Sequence, residues 1–129
     1  QICFVPYFPL ASGLLTGKYD QSVQFPADDI RSQISDFQEP RYSQALTAID
    51  QVRPIAQAHQ ATVAQTILAW YMQNPLVSVV IPGAKRAAQV EANAQALEVT
   101  LTAAEYQTID TAFAGFKATA NGKSLADPD

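Results

Sequence analysis

Charge is scarce in this sequence: of 129 residues, 8 are Lys or Arg and 12 are Asp or Glu, leaving a formal net charge of -4. A chain so balanced has no positive field with which to hold a phosphate backbone by counterion release, so nucleic acid is not an expected partner. Cysteine is almost absent. Cys3 stands alone, which excludes an internal disulfide and a thiolate metal site and fits a reducing cytoplasm; inside its apolar run it reads as a small core residue. Long apolar runs are lacking too: stretches such as Val79-Val80-Ile81-Pro82 fall far short of the roughly 20 residues that cross a bilayer, so no membrane partner is expected. His59 is the sole histidine, and with no second His or Cys for company it predicts no metal site. Internal repeats and low-complexity tracts are also missing.

What is present is apolar material. The hydrophobic fraction of 48% is ample for one buried core. The chain opens directly in a β-like run, Gln1-Ile2-Cys3-Phe4-Val5, with no initiator Met, basic leader or capping signal, as if entered in mid-fold. A continuous apolar strand of this kind predicts burial on both faces, as in a parallel sheet covered by helices. A second such run, Leu76-Val77-Ser78-Val79-Val80-Ile81, is short enough to be another buried parallel strand.

Between them lie helical patterns. Tyr42, Ala45, Ile49, Val52 and Ala56 follow helical spacing from Arg41 to His59, with a kink or break expected at Pro54 and the His59 ring placed to bond the last carbonyls. Thr62 and Gln65 form a capping box ahead of Val63, Ile67, Trp70 and Tyr71, a core face that stops at Asn74-Pro75. Beyond the second strand, Val90, Ala94 and Leu97 share one face of a further helix. Thr102 and Glu105 cap the last helix, with a Leu101–Tyr106 staple and an apolar face of Tyr106, Ile109 and Phe113; residues 115–129 read as a small, polar, frayed tail.

Two loops carry the chemistry. After the first strand comes Ala11-Ser12-Gly13-Leu14-Leu15-Thr16-Gly17-Lys18-Tyr19, whose two glycines let backbone approach a ligand. Residues 20–40 then form a polar connection long enough to be either a binding or covering loop or a disordered surface excursion. After the second strand comes Pro82-Gly83-Ala84-Lys85-Arg86 at the start of a helix. Helix-terminal amides, a glycine and two cationic side chains suit a phosphate, although a glycine turn followed by two solvated basic residues would look the same. Two strand-to-loop units joined by helices imply a parallel sheet, with both loops at the carboxyl ends of its strands, where α/β folds bind ligands.

At these residues the sequence resembles the aldo-keto reductases, in the bacterial branch related to potassium-channel β subunits. Tyr7 to Tyr19 is similar to the family segment after the seventh barrel strand, and Ile81 to Arg86 with Gln89, Val90 and Asn93 to that after the eighth. The resemblance covers residues 1–114 and implies an α/β fold: the C-terminal portion of a (β/α)8 TIM barrel, its last two strands with their helices. It implies a bound NADP, with Tyr7 stacking on the nicotinamide and Pro9, Leu10, Ser12, Gly13, Leu15 and Lys18 along the pyrophosphate. Gly83, Ala84, Lys85 and Arg86 would surround the 2′-phosphate, and Gln89 and Asn93 would reach the adenine. Many family members have Lys-Ser where Gly83-Ala84 stand, Arg at Gln89 and an acid at Ala92. Either Lys85 and Arg86 replace that clamp from shifted positions, or NAD is accepted as well.

The family reduces carbonyls with a tyrosine, lysine, aspartate and usually a histidine from the first half of the barrel. Nothing in this sequence matches those motifs, so no catalytic residue is expected here and the small-molecule carbonyl substrate would meet loops outside this sequence. A complete barrel needs about 250 residues, which marks this chain as a carboxyl-terminal portion, a fragment or a truncated product inactive by itself. Three functions are compatible with that: the cofactor-binding part of an NADPH-dependent reductase, a regulatory module of the same fold that senses NADP, or an inert half-barrel.

Overall fold

The computed structural model describes residues 2–118. Among these are four α-helices: α1 (Arg41–Ala58), α2 (Val63–Met72), α3 (Ala87–Ala94) and α4 (Ala103–Ala118), with short 3₁₀ turns between. α1 is the centre of the arrangement and packs against both α2 and α4. Its Ala45, Ile49 and Val52 are fully buried, on the stripe that the helical spacing predicts. Ile67 of α2 and Ile109 and Phe113 of α4 meet that stripe, and Leu14, Leu15, Tyr19 and Phe37 close the same cluster from the connecting segments. Side chains such as Ile49, at 0% exposure, each contribute about 1.5–3 kcal/mol by leaving water.

Local chemistry sets the helix ends. Thr62 Oγ1 accepts from the Gln65 amide at 3.2 Å while Gln65 Oε1 accepts from the Thr62 amide at 2.8 Å, closing the box expected at the start of α2. Thr102 and Glu105 repeat it at α4, with the Thr102 amide donating to Glu105 Oε2 at 2.8 Å. α1 has no side-chain N-cap; Arg41 in its first turn pairs with Asp36 instead. The helix runs through Pro54 as one element. The expected break does not occur, because Pro54 lies on the exposed face, where the carbonyl it leaves unpaired meets water.

α1 ends in a backbone motif that the sequence concealed. Gln60 takes a left-handed φ of 53°, the Gln60 amide donates to Gln57 O at 3.1 Å and the Ala61 amide to Ala56 O at 2.9 Å, the paired bonds of a Schellman stop. The terminal carbonyls are thus satisfied by backbone, and the His59 ring, expected to bond them, instead contacts the Glu105 carboxylate at 3.0 Å. That contact ties the end of α1 to the start of α4. The Glu105 carboxyl is lowered from its ordinary range, first by the Thr102 amide and then by His59.

The strand layer departs furthest from expectation. The two β-like runs do lie parallel, but they meet only in isolated bridges, Phe4 with Val77 and Tyr7 with Ile81, and the Ser78 amide donates to Phe4 O at 2.9 Å. They are not buried on both faces: Phe4, Tyr7, Leu76, Val79 and Ile81 are all exposed, and so is Cys3, which is no core residue. Burial on both faces requires a strand on each side and a helix over each face, and each run here has only the other as a partner among the described residues. The Val90 and Ala94 face of α3 is exposed for the same reason; α3 ends at Ala94, so Leu97, expected on the same helix, lies exposed in the 3₁₀ turn that follows (Gln95–Glu98). α4 extends past the expected start of the tail to Ala118; residues 119–129 of that tail lie outside the described residues. No described helix is long and apolar enough to cross a membrane.

Two outcomes follow. Gln60→Gly should raise stability by about 0.5–1 kcal/mol in chemical denaturation, since glycine takes a left-handed φ without the Cβ penalty. The Glu105 carboxylate, held down first by the Thr102 amide and then by His59, should show in pH. A carboxyl lowered in the folded state stabilises above its unfolded value, and that stability is lost as pH falls through the folded value. Glu105→Gln should therefore cost about 1 kcal/mol near neutrality and nothing in strong acid, flattening the acid limb of the stability curve; identical limbs would refute it.

Candidate functional site

The parallel pairing decides where the two loops go. Because Phe4 pairs with Val77 and Tyr7 with Ile81 in the same sense, the segments that follow, from Phe8 and from Pro82, leave the same end of the pair. Tyr7 stands there with 74% of its surface exposed and its ring 5.3 Å edge-on from Phe8. A flat apolar ring in that state is open to stacking by a planar ligand.

The loop from Phe8 to Gly17 is wound around one carbonyl. Leu10 O accepts from the Gly13 amide at 2.9 Å and the Leu15 amide at 3.2 Å, while the Ala11 amide donates to Phe8 O at 2.9 Å. This winding forces left-handed backbone at Phe8 (φ 52°), Ala11 (φ 47°) and Ser12 (φ 55°), besides Gly13 and Gly17. For a residue with a Cβ that conformation costs on the order of 1–3 kcal/mol, and such strain gathers at ligand sites. Gly17 is required on two counts, since its φ is 75° and an added Cβ would lie 3.0 Å from the Val63 side chain. Pro9 and Leu15 turn inward, Leu15 into the core, so they shape the turn rather than line a surface. Ser12 and Lys18 remain exposed. Lys18 Nζ sits 4.8 Å over the Tyr19 ring and 3.5 Å from where a Gly13 Cβ would be, which places a cation beside the strained turn.

On the other side Gly83, Ala84, Lys85 and Arg86 are all exposed. Gln89, in the first turn of α3, reaches back: its Oε1 accepts from the Lys85 amide at 2.8 Å and the Arg86 amide at 3.1 Å. That fixes the loop but commits two of the amides the sequence offered to an anion, so negative charge here would be met chiefly by the two cationic side chains. Asn93 is half-buried and is the one polar residue lining an apolar cavity of about 500 Å³ beside Pro82 and Ala84.

The connection over residues 20–40 is ordered by packing and is not a disordered excursion. Tyr19, Phe25 and Phe37 meet edge to face at 5.0–5.8 Å, and the Arg31 guanidinium lies 4.7 Å over Phe25 while bonding Asp29 and the Tyr19 hydroxyl. Those bonds from Arg31 hold the Asp29 carboxyl down to about 2. Sequence reading missed this group; the Asp-x-Arg spacing was its one signal, since Asp29 also accepts from the Arg31 amide at 2.9 Å. A second phenolic hydroxyl, on Tyr42, donates to Asp20 O at 2.7 Å. Among the described residues no group of three or more His, Cys, Asp or Glu could hold a metal.

Comparison with known proteins bears on this geometry. The model of the aldo/keto reductase family matches residues 1–114. An aldo-keto reductase of Schizosaccharomyces pombe whose name carries NADP(+) is 34% identical over 108 residues, covering 84% of this chain and 32% of its own length. A probable voltage-gated potassium channel subunit beta of Arabidopsis thaliana is 37% identical over 95 residues, covering 70% of this chain and 28% of its own length. Among solved structures, a glycerol dehydrogenase from Gluconobacter oxydans superposes with a TM-score of 0.73 at 27% identity, over 94% of this chain and 36% of that one. The chain thus spans about a third of the length of the relatives it matches.

Proposed function

The chain belongs to the aldo/keto reductase family, and from that premise we propose that it is the NADP-gripping, C-terminal part of a (β/α)8 barrel oxidoreductase that reduces aldehydes or ketones to alcohols. The observation that carries this reading is the parallel pairing of Phe4 with Val77 and Tyr7 with Ile81, which sets the strained Phe8–Gly17 turn and the Pro82–Arg86 loop side by side. A ring, a cation beside a tight turn and a pair of cations would suit a dinucleotide's nicotinamide, diphosphate and 2′-phosphate groups.

Each residue then has a task. Tyr7 gives the nicotinamide a face to stack on. Lys18 and the turn at Leu10, Ser12 and Gly13 meet the diphosphate, a position in which the left-handed backbone lets amides approach closely. Lys85 and Arg86 hold the 2′-phosphate through charge-assisted bonds. Gln89 has its carbonyl oxygen committed to the loop and so offers its NH₂ toward the adenine, with Asn93 beside it. Pro9 and Leu15 support the turn from beneath. Gly83 and Ala84, carrying little or no side chain, leave room for the phosphate. The nicotinamide, when bound, supplies the hydride. No residue of this chain is assigned to proton transfer, so the chain by itself should not turn over.

A second reading is supported by the likeness to a channel subunit beta: a module that retains NADP and reports its occupancy with little turnover. Ready steady-state NADPH oxidation by the full-length protein with aldehydes would favour the reductase, and tight retention without turnover the sensor. The site itself is tested by titrating the chain with NADPH and NADH while following nicotinamide and Trp70 emission. Lys85→Ala combined with Arg86→Ala should weaken NADPH by roughly ten- to a hundredfold, the scale of one charge-assisted hydrogen bond once the solvent screening of two exposed side chains is allowed for, and leave NADH within about threefold. Equal losses for both would reject the 2′-phosphate assignment.

A further inference from the structure

α3 carries the clamp, yet it is poorly anchored by packing. None of its own side chains is buried, and the nearest buried residue in sequence is Ala96, in the 3₁₀ turn that follows. Something else must fix where Gln89 and Asn93 lie.

The group in position to do so is the side chain of Gln65, a polar residue only 8% exposed. Its Oε1 accepts from the Thr62 amide at 2.8 Å. Its Nε2 donates both hydrogens across to α3 and its C-cap: to Ala92 O at 2.9 Å and to Gln95 Oε1 at 2.9 Å. One amide thus uses its acceptor to cap α2 and its two donors to hold the last turn of α3, next to Asn93. A buried amide left without those partners is costly, so the tie is directional and specific rather than a loose contact.

We propose that Gln65 is a positioning residue for the cofactor clamp: through Ala92 O and Gln95 it sets the placement of α3, and with it the affinity for the adenosine 2′-phosphate end of the dinucleotide. This rests on the reading of Lys85 to Asn93 as that clamp. Gln65 touches no ligand in this scheme and acts through α3 alone.

Its two halves can be separated by substitution. Gln65→Glu is nearly the same shape and keeps the acceptor that caps α2, glutamate being a preferred partner in such a box. It replaces the donating NH₂ with a carboxylate facing two oxygens, so the tie to α3 is lost. Thr62→Ala does the converse, removing the hydroxyl from the α2 cap and sparing the tie. Gln95→Ala removes one acceptor from an exposed position, where folding is little affected.

The test is calorimetric titration of the full chain with 2′,5′-ADP, which carries the adenosine and its 2′-phosphate without nicotinamide, at neutral pH and at lower pH. Gln65→Glu should weaken binding about tenfold, the scale of one buried hydrogen bond, and regain affinity relative to wild type at the same pH as its carboxyl protonates and can again donate. Gln95→Ala should show a smaller loss in the same direction, and keeps the test valid should Gln65→Glu fail to fold by circular dichroism. Thr62→Ala should melt lower yet bind within about twofold of wild type, because weakening a cap lowers stability without moving α3. The proposal is overturned if Gln65→Glu or Gln95→Ala, when folded, binds like wild type, or if Thr62→Ala loses as much as Gln65→Glu. Absence of 2′,5′-ADP binding by wild type would instead remove the clamp reading on which the proposal stands.

Discussion

The rest of the structure depends on the buried stripe of α1. Ile49 and Val52 are fully excluded from water and receive α2 on one side and α4 on the other. Withdrawing side chains of this size from solvent is worth a few kcal/mol apiece, which makes the three-helix contact the natural source of stability for everything attached to it. The polar links across this layer, His59 to Glu105 and Arg41 to Asp36, set the angles between elements that are already held by packing. The first candidate loop hangs from the same layer: Leu14 and Leu15 root its turn in the core, and Gly17 packs against the opening residue of α2.

That attachment separates rigidity from function. The Phe8–Gly17 turn keeps three non-glycine residues in left-handed backbone, a conformation that persists only where the surroundings over-determine it. Here the surroundings are the rooted leucines below and the Tyr19–Phe25–Phe37 cover beside it, itself held by Arg31. The opposite loop is held by polar contacts instead: Gln89 fixes its amides from within, and Gln65 fixes the helix behind it. The first wall is therefore set by packing and the second by hydrogen bonds. Substitutions that trim apolar volume should disturb the Phe8–Gly17 turn, whereas changes of donor and acceptor should disturb the Pro82–Arg86 loop.

How much of this could be read from the sequence follows from the range of each interaction. Features written in a few adjacent residues were legible, such as the Thr62–Gln65 and Thr102–Glu105 boxes, the stripe from Tyr42 to Ala56 and the parallel sense of the two apolar runs. Features settled by partners far along the chain were not. His59 found Glu105, 46 positions away, because the local carbonyls had been satisfied by a left-handed Gln60 that no propensity rule favours. The order of residues 20–40 came from aromatic contacts that hydropathy alone does not register. Of the candidate site, the loops were legible as glycine-containing segments after strands, while the inward turn of Leu15 and the backward reach of Gln89 depended on backbone geometry at single residues.

The exposed apolar surface sharpens the difference between the two layers. Ile2, Phe4, Tyr7, Leu76, Val79 and Ile81 are uncovered on the strand runs, as are Val90 on α3 and Leu97 in the 3₁₀ turn after it, large apolar side chains of the kind that mark contact surfaces when grouped. Neither run has a strand beyond its partner among the described residues, and a two-stranded pairing is marginal by itself. The helical layer has no such debt to solvent, since its stripe is closed by α2 and α4. Stability and site geometry are thus held by different parts of the same chain: helix packing sustains the fold, and the register of Tyr7 against Ile81 sustains the site. Covering the strand face, by whatever supplies it, would act on the second without being needed for the first.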